Sequence, residues 1–161
     1  LRTSYTNAKS ARNFGVELEA RKRLNDYILV GLNYTFVDSN IQLQSFQTNV
    51  LTSLDRPLAG TSKHLFNGLF EARLPIFTAR VLVNSFSNRI ADVGALGLPD
   101  IEEEGRATID VALSRTIGKL TLRFSGDNLG DTAVRYLQDT KTHREFNLGR
   151  TWAFSLGFSA F

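Results

Sequence analysis

Apolar and polar residues alternate with a period of two along most of the chain, and helix-period patterns are scarce. Seven alternating segments can be marked. The first, residues 14–23, sets Val16, Leu18 and Ala20 against Glu17, Glu19 and Arg21. The second, 27–37, sets Ile28, Val30, Leu32, Tyr34 and Phe36 against Leu29, Gly31, Asn33 and Thr35. In the third, 65–74, the faces are Phe66, Gly68, Phe70, Ala72 and Asn67, Glu71, Arg73; in the fourth, 78–88, they are Ala79, Val81, Val83, Ser85 and Arg80, Leu82, Asn84, Phe86. The fifth, 106–116, opposes Ala107, Ile109, Val111 and Leu113 to Arg106, Thr108, Asp110 and Ser114. The sixth, 120–128, opposes Leu120, Leu122 and Phe124 to Thr121, Arg123, Ser125 and Asp127. A seventh runs from about Phe146 to the end, with Trp152, Phe154, Leu156 and Phe158 on one side and no charge in the last eleven residues. Successive side chains of a strand point to opposite faces, so each segment predicts a β-strand. One face of each is free of charge through its middle and must be buried in protein or in lipid.

The connections sort themselves by length. Segments one and two are joined by Leu24-Asn25-Asp26, three and four by Pro75-Ile76-Phe77, and five and six by Ile117-Gly118-Lys119, all tight-turn lengths. The other three, 38–63, 89–105 and 129–145, are long. Strict alternation puts only turns at one end of the sheet and only large loops at the other, as in outer-membrane barrels; a sandwich has less reason to sort its loops. Among twelve Phe, four Tyr and one Trp, residues such as Tyr34, Phe36, Phe77, Trp152 and Phe161 fall near strand ends, where a barrel carries aromatic girdles, although they suit the core of a soluble sheet as well.

Composition narrows this picture. The 161 residues suit one domain or a piece of a larger protein, and Leu1-Arg2-Thr3 reads as a cut, with no signal peptide visible at this end. No apolar run reaches the length of a spanning helix, whereas segments of about ten residues suit spanning strands. The net charge of +3 is dispersed, and no Lys or Arg run marks a nucleic-acid partner. With two histidines, no cysteine and no phosphate-binding glycine loop, no catalytic constellation can be assembled, so an enzyme is not expected, nor is a cofactor or a resident metal.

Some residues still carry candidate chemistry. Asp100, Glu102, Glu103 and Glu104 could gather a hard cation, but their spacing lacks the ligand pattern of a known site and favours a solvated loop. His64 and His143 lie at or near long loops and read as surface residues unless a metal chelate reaches them. The charged face, with Glu17, Glu19, Arg21, Glu71, Arg73, Arg80, Asp110, Arg123 and Asp127, would line the lumen of a barrel or face water in a soluble sandwich. The loops 38–63, 89–105 and 129–145 are where ligand contact is expected, the first being rich in Gln, Asn, Ser and Thr.

The stretches "NFGVELEARKRL" at 13–24, "LDRPLAGTSKHLFNGLF" at 54–70, "SFSNRIADVGALGLPDIEEEGRATIDVALSRTIGKLTLRFSGDNLGD" at 85–131 and "REFNLGRTWAFSLGFSAF" at 144–161 resemble, in order and spacing, the C-terminal portion of a TonB-dependent outer-membrane receptor. The resemblance implies an all-β fold: an antiparallel up-and-down transmembrane β-barrel segment, about the last seven strands of a 22-stranded barrel, with the plug domain and the other strands outside this chain. It implies uptake of an iron chelate, a cobalamin, a glycan or a peptide with TonB-supplied energy. The implied partners are the rest of the barrel and plug, the TonB complex, the barrel assembly machinery, the lipid bilayer, and an extracellular or lipoprotein partner, all at the bacterial cell outer membrane. By the same resemblance Trp152, Phe154, Leu156, Phe158 and Phe161 form the barrel-assembly signal. Phe161 is one residue out of phase with the other four, so a bulge near Ser159-Ala160 or loss of pairing at the tip is expected. Two other readings compete: a soluble β-sandwich interaction module, and a small eight-stranded outer-membrane barrel acting as adhesin or anchor with a strand hidden in residues 1–12.

Overall fold

The computed structural model describes residues 7–44 and 50–159. Among them it contains twelve strands: β1 Ser10–Arg23, β2 Ile28–Gln42, β3 Asp55–Arg56, β4 His64–Arg73, β5 Thr78–Phe86, β6 Arg89–Asp92, β7 Ile101–Glu103, β8 Arg106–Ile117, β9 Leu120–Asp127, β10 Ala133–Gln138, β11 Lys141–Asn147 and β12 Thr151–Phe158. Seven of them form one antiparallel wall in the order β1-β2-β4-β5-β8-β9-β12, with β3 attached to the far end of β2. The ladder is open: among the described residues β1 and β12 are each paired along one edge.

Every predicted strand is present, joined as an up-and-down meander, and the three short turns lie together at one end. In the first turn the Asn25 side-chain oxygen accepts bonds from the amides of Tyr27 and Ile28, both at 2.9 Å, which closes the chain after β1. In the second the Leu74 amide reaches the Phe77 carbonyl at 2.8 Å. The third is a two-residue hairpin whose Gly118 has φ +60°, the conformation that the first position of a tight hairpin turn demands.

The long connections differ from expectation. Residues 89–105 and 129–145 hold a second antiparallel sheet, in the order β11-β10-β7-β6. The segment expected to begin at Phe146 is two elements, because Phe146 belongs to β11 and β12 starts at Thr151 after Gly149, whose φ is +80°. The first hairpin is also longer than its apolar pattern, since polar residues of 38–42 pair with 10–14 and carry the ladder past the apolar stretch. Polar residues sustain a strand as well as apolar ones when both faces meet water, and no apolar alternation marks such a strand.

Among the described residues there is no apolar core under the wall. The buried hydrophobic residues among those described are Ile90 and Val134, both in the second sheet. A sandwich buries one face of each sheet against the other; here nothing among the described residues packs on the wall's apolar face, so the sandwich expectation is not met. The eighth strand of a small closed barrel, expected in residues 1–12, is not found within 7–12, of which 10–12 are the start of β1; residues 1–6 lie outside the described part.

Candidate functional site

The registers place the side chains of the wall on two faces of opposite chemistry. One face is continuous across all seven strands: Leu18 pairs with Tyr34 and Tyr34 with Phe66, Val30 with Phe70 and Phe70 with Val81, Val81 with Val111, Leu113 with Phe124, and Phe124 with Phe154. Its residues are exposed or half-buried, reaching 69% exposure for Phe154 and 72% for Phe158. Between four and nine residues from the turns this face carries no charged side chain; Lys22 and Arg115 lie nearer the turns, and Asp38 and His64 lie beyond. At roughly 3.3 Å per residue and a tilt near 40°, these six positions cover about 15 Å, the middle of a barrel's lipid-facing band of about 25 Å.

Aromatic residues gather towards both borders of that band. Tyr27, Phe77 and Phe158 are at the turn end, Phe14, Phe36, Phe66, Tyr34 and Trp152 at the loop end, with Phe70, Phe124 and Phe154 between. Tyr34 turns its hydroxyl to His64 Nδ1 at 2.7 Å, and the His64 ring also lies 5.6 Å from Phe36. An amphipathic ring with its polar tip towards the border is the form suited to a membrane–water interface. Trp152 stacks on Phe124 with ring centroids 5.5 Å apart and lies flat over Gly126, where a Cβ would collide with the indole. Glycine is required there because the ring occupies the place of a side chain.

The other face gathers Glu17, Glu19, Arg21, Glu71, Arg73, Arg80, Asp110, Arg123 and Asp127, as the alternation predicted. Its centre is Glu71, only 2% exposed and the most buried large side chain among those described. Arg73 donates to it from the same strand at 2.6 Å, and Arg80 donates from β5 through Nε at 3.0 Å and through Nη2. Both lone-pair sets of the carboxylate are used, so its burial is compensated. Towards the loop end a chain of amides continues the polar lining: Asn33 donates to Glu17 at 2.6 Å, Asn67 to Asn33 at 3.4 Å, and Asn84 to Asp110 at 3.4 Å.

At the loop end, ion pairs root the second sheet on the wall. Glu103, 6% exposed, accepts from Arg89 Nε at 2.8 Å and from Arg106 Nη1. Both guanidinium groups lie over the Phe86 ring, at 4.6 and 4.8 Å from its centroid. Burial pushes the Glu103 carboxyl up, but the hydrogen bonds from Arg106 and Arg89 outweigh it and hold the group below its ordinary value. Arg135 joins Glu145 at 3.0 Å and Glu104 at 2.9 Å; its hydrogen bond to Glu145 raises the guanidinium and lowers that carboxyl. The acidic stretch is therefore neither a solvated loop nor a cation cluster. Asp100 accepts from the Gly94 amide at 2.7 Å, Glu103 and Glu104 hold different arginines, and β-alternation points neighbours apart. No group of three His, Cys, Asp or Glu among the described residues is placed to hold a metal ion. His64 belongs to the wall and the exposed His143 to β11, so the two do not share a site.

Asn128 opens the Asn-Leu-Gly-Asp stretch that carries part of the family resemblance, and the structure gives it a local role. With φ +54° it closes β9, its amide donates to Asp110 at 2.8 Å, its side-chain nitrogen donates to the Gly149 carbonyl at 2.9 Å, and its side-chain oxygen accepts from the Thr132 amide at 3.2 Å. Asn-Leu-Gly-Asp thus clasps the exit of β9 to the entry of β12. Between the loops and the rim of the wall lies a cavity of about 410 Å³ lined by Ser39, Asp55, Arg56, Lys63, Arg89 and Glu102, among others. Residues of 38–63 and of 89–105 line it jointly.

A wall apolar outside, polar and ion-paired inside, with turns at one end and structured loops at the other, has the anatomy of a transmembrane barrel. Comparison with family models agrees: that of the TonB dependent receptor-like β-barrel matches residues 1–129. The chain belongs to that family. Searches of curated proteins and of solved structures gave no match. The TonB-dependent receptor match ends at Leu129, so β12 joins the barrel wall by register alone, pairing with β9 without a shift from Thr151 to Phe158, while β10 and β11 belong to the second sheet. In this barrel segment Trp152, Phe154, Leu156 and Phe158 share the apolar face; Phe161, and with it the expected bulge or fraying, lies outside the described residues.

Proposed function

We propose that this chain forms part of the barrel of an outer-membrane receptor that takes up a ligand with TonB-supplied energy. The observation that carries the reading is the charge-free exposed face running through seven paired strands of a TonB-dependent receptor family member, backed by a polar inner face. Such a wall is stable only where lipid replaces water on one side.

In this reading the chain supplies about the last seven strands of a 22-stranded barrel in the bacterial outer membrane, and the remaining strands, the plug and the TonB-binding segment belong to polypeptide beyond these residues. Free edges on β1 and β12 support it, since an unpaired strand edge cannot face hydrocarbon. Ligand capture is assigned to the loop side, where the cavity and the second sheet lie; an extracellular or lipoprotein partner would also meet these loops. The final strand, with Trp152, Phe154, Leu156, Phe158 and Phe161, serves as the signal read by the barrel assembly machinery. The role is binding and transport, without catalysis.

The test is uptake by cells producing the full-length receptor, with and without TonB, offered labelled iron chelates, cobalamin, glycans and peptides. TonB-dependent accumulation of one class is expected. Accumulation of none, or uptake indifferent to TonB, would contradict the reading.

A further inference from the structure

β4 leaves the edge of β2 after Phe36 and β3 joins that edge at Ile41, and the rim cavity of about 410 Å³ opens against the residues between them, Val37 to Ser39. Four carboxylates and three cationic side chains line it. Most of these are already engaged. Asp38 accepts from Arg12 at 3.2 Å and lies 4.0 Å from Lys63; Asn40 and Gln42 donate to Asp55; the Gly94 amide donates to Asp100; and Glu103 holds Arg89. Arg56 differs from the other two cations. Its Nε is shut off from solvent without a hydrogen-bond partner, and no carboxylate among the described residues pairs with its guanidinium. An N–H of a charged group that has lost water and gained no acceptor is costly. A ligand in the cavity can supply the missing acceptor.

The rest of the lining selects what else that ligand carries. Asp38, Asp55, Asp100 and the exposed Glu102 present acceptor oxygens, so a group with several negative charges is repelled, whereas hydroxyl donors find partners. A guanidinium binds a carboxylate through two parallel bonds, and a small rotation of the long Arg56 side chain brings its Nε edge to one in the cavity. The volume is that of a small-molecule site. We infer that the rim cavity binds a hydroxylated monocarboxylate, a sugar acid, with its carboxylate on Arg56 and its hydroxyls on the lining carboxylates. This inference rests on the assignment of ligand capture to the loop side and narrows the ligand to an acidic glycan unit. A neutral sugar leaves Arg56 without its acceptor. A peptide end satisfies Arg56 but turns its own carbonyl oxygens to the same acids.

Calorimetric titration of the detergent-solubilised full-length receptor with galacturonate, galactose and the dipeptide glycylglycine tests this. Galacturonate should bind, and galactose, which has a hydroxymethyl group in place of the carboxylate, should bind about tenfold more weakly or worse. That contrast needs no variant. Arg56→Gln should weaken galacturonate to the level of galactose and leave galactose unchanged, and Arg56→Lys should recover part of the loss, each variant keeping the heat-modifiable gel migration of a folded barrel. Equal binding of the two sugars, binding of neither, tighter binding of glycylglycine, or galacturonate binding indifferent to Arg56→Gln overturns the inference. The uptake reading fails separately. Arg56-dependent galacturonate binding without TonB-dependent accumulation of any ligand in cells contradicts uptake and leaves the site standing, whereas TonB-dependent accumulation of a ligand without a carboxylate, unaffected by Arg56→Gln, keeps uptake and removes the site.

Discussion

Leu82 and Val81 are neighbours in the chain, yet they stand on surfaces that obey opposite rules. On the side of Val81 the wall exposes Phe, Leu, Ile, Val and Trp over seven strands, with nothing among the described residues packed on them. On the side of Leu82 the most buried large side chain is a glutamate clamped by two arginines. A water-soluble sheet buries its apolar face and solvates its charges. Here the apolar face is the open one and the charged face holds the compact, bonded cluster. The difference teaches that the medium, and not the strand, is what has been inverted.

The largest effect should come from placing a charge on the apolar face. Val81→Arg or Val111→Arg in the full-length receptor in lipid vesicles should lose about 2–4 kcal/mol of unfolding free energy, because lipid cannot solvate a guanidinium. Leu82→Arg should lose far less, as its side chain joins the polar lining. Guanidinium titration of the three variants measures the contrast, and equal losses at 81 and 82 would erase it. Next in size, Glu71→Ala should cost about 1–3 kcal/mol by leaving two arginines without their shared acceptor. The same titration reads that loss.

Much of this division was legible in the order of residues. Alternation at Phe66-Asn67-Gly68, for example, is a local property that each strand carries by itself, and the three tight turns announced the up-and-down order. The second sheet was not legible, for a physical reason. β6 and β7 have four and three residues, too few for a pattern, and they are held by contacts between distant positions: Arg89 with Glu103, Arg135 with Glu104. Nothing near Glu103 in the chain says that it is held by Arg89 while its neighbour Glu104 is held by Arg135. The hairpin of β10 and β11 did leave a trace, an Asp139-Thr140 turn between alternating Val134, Tyr136 and Phe146, with Asp139 at φ +56°. The candidate site was legible only as three long connections; that two of them converge on one cavity is a property of the folded rim.

The rim offers smaller effects. The Glu103 carboxyl is held below its ordinary value of 4.5, so its stabilisation of the second sheet is fully present above that pH and is lost as pH falls through the lowered value. Hydrogen exchange should therefore show 89–104 opening in acid while the wall strands stay protected, and Glu103→Gln should remove most of that pH dependence. Opening of the wall at the same pH would deny that the two sheets are separately held. Smallest of all, Glu145→Gln should leave stability at neutral pH unchanged within error, since its ion pair with Arg135 is open to solvent.

The claim that one face meets lipid and the other a lumen is tested most directly at Leu69 and Phe70, adjacent residues on opposite faces near mid-wall. The sequence has no cysteine, so Leu69→Cys and Phe70→Cys in an otherwise cysteine-free full-length receptor can each carry a single fluorophore in vesicles. Brominated lipid chains should quench the label at position 70 strongly and the label at position 69 weakly. Equal quenching at both positions, or quenching at 70 by a water-soluble agent alone, would contradict the account.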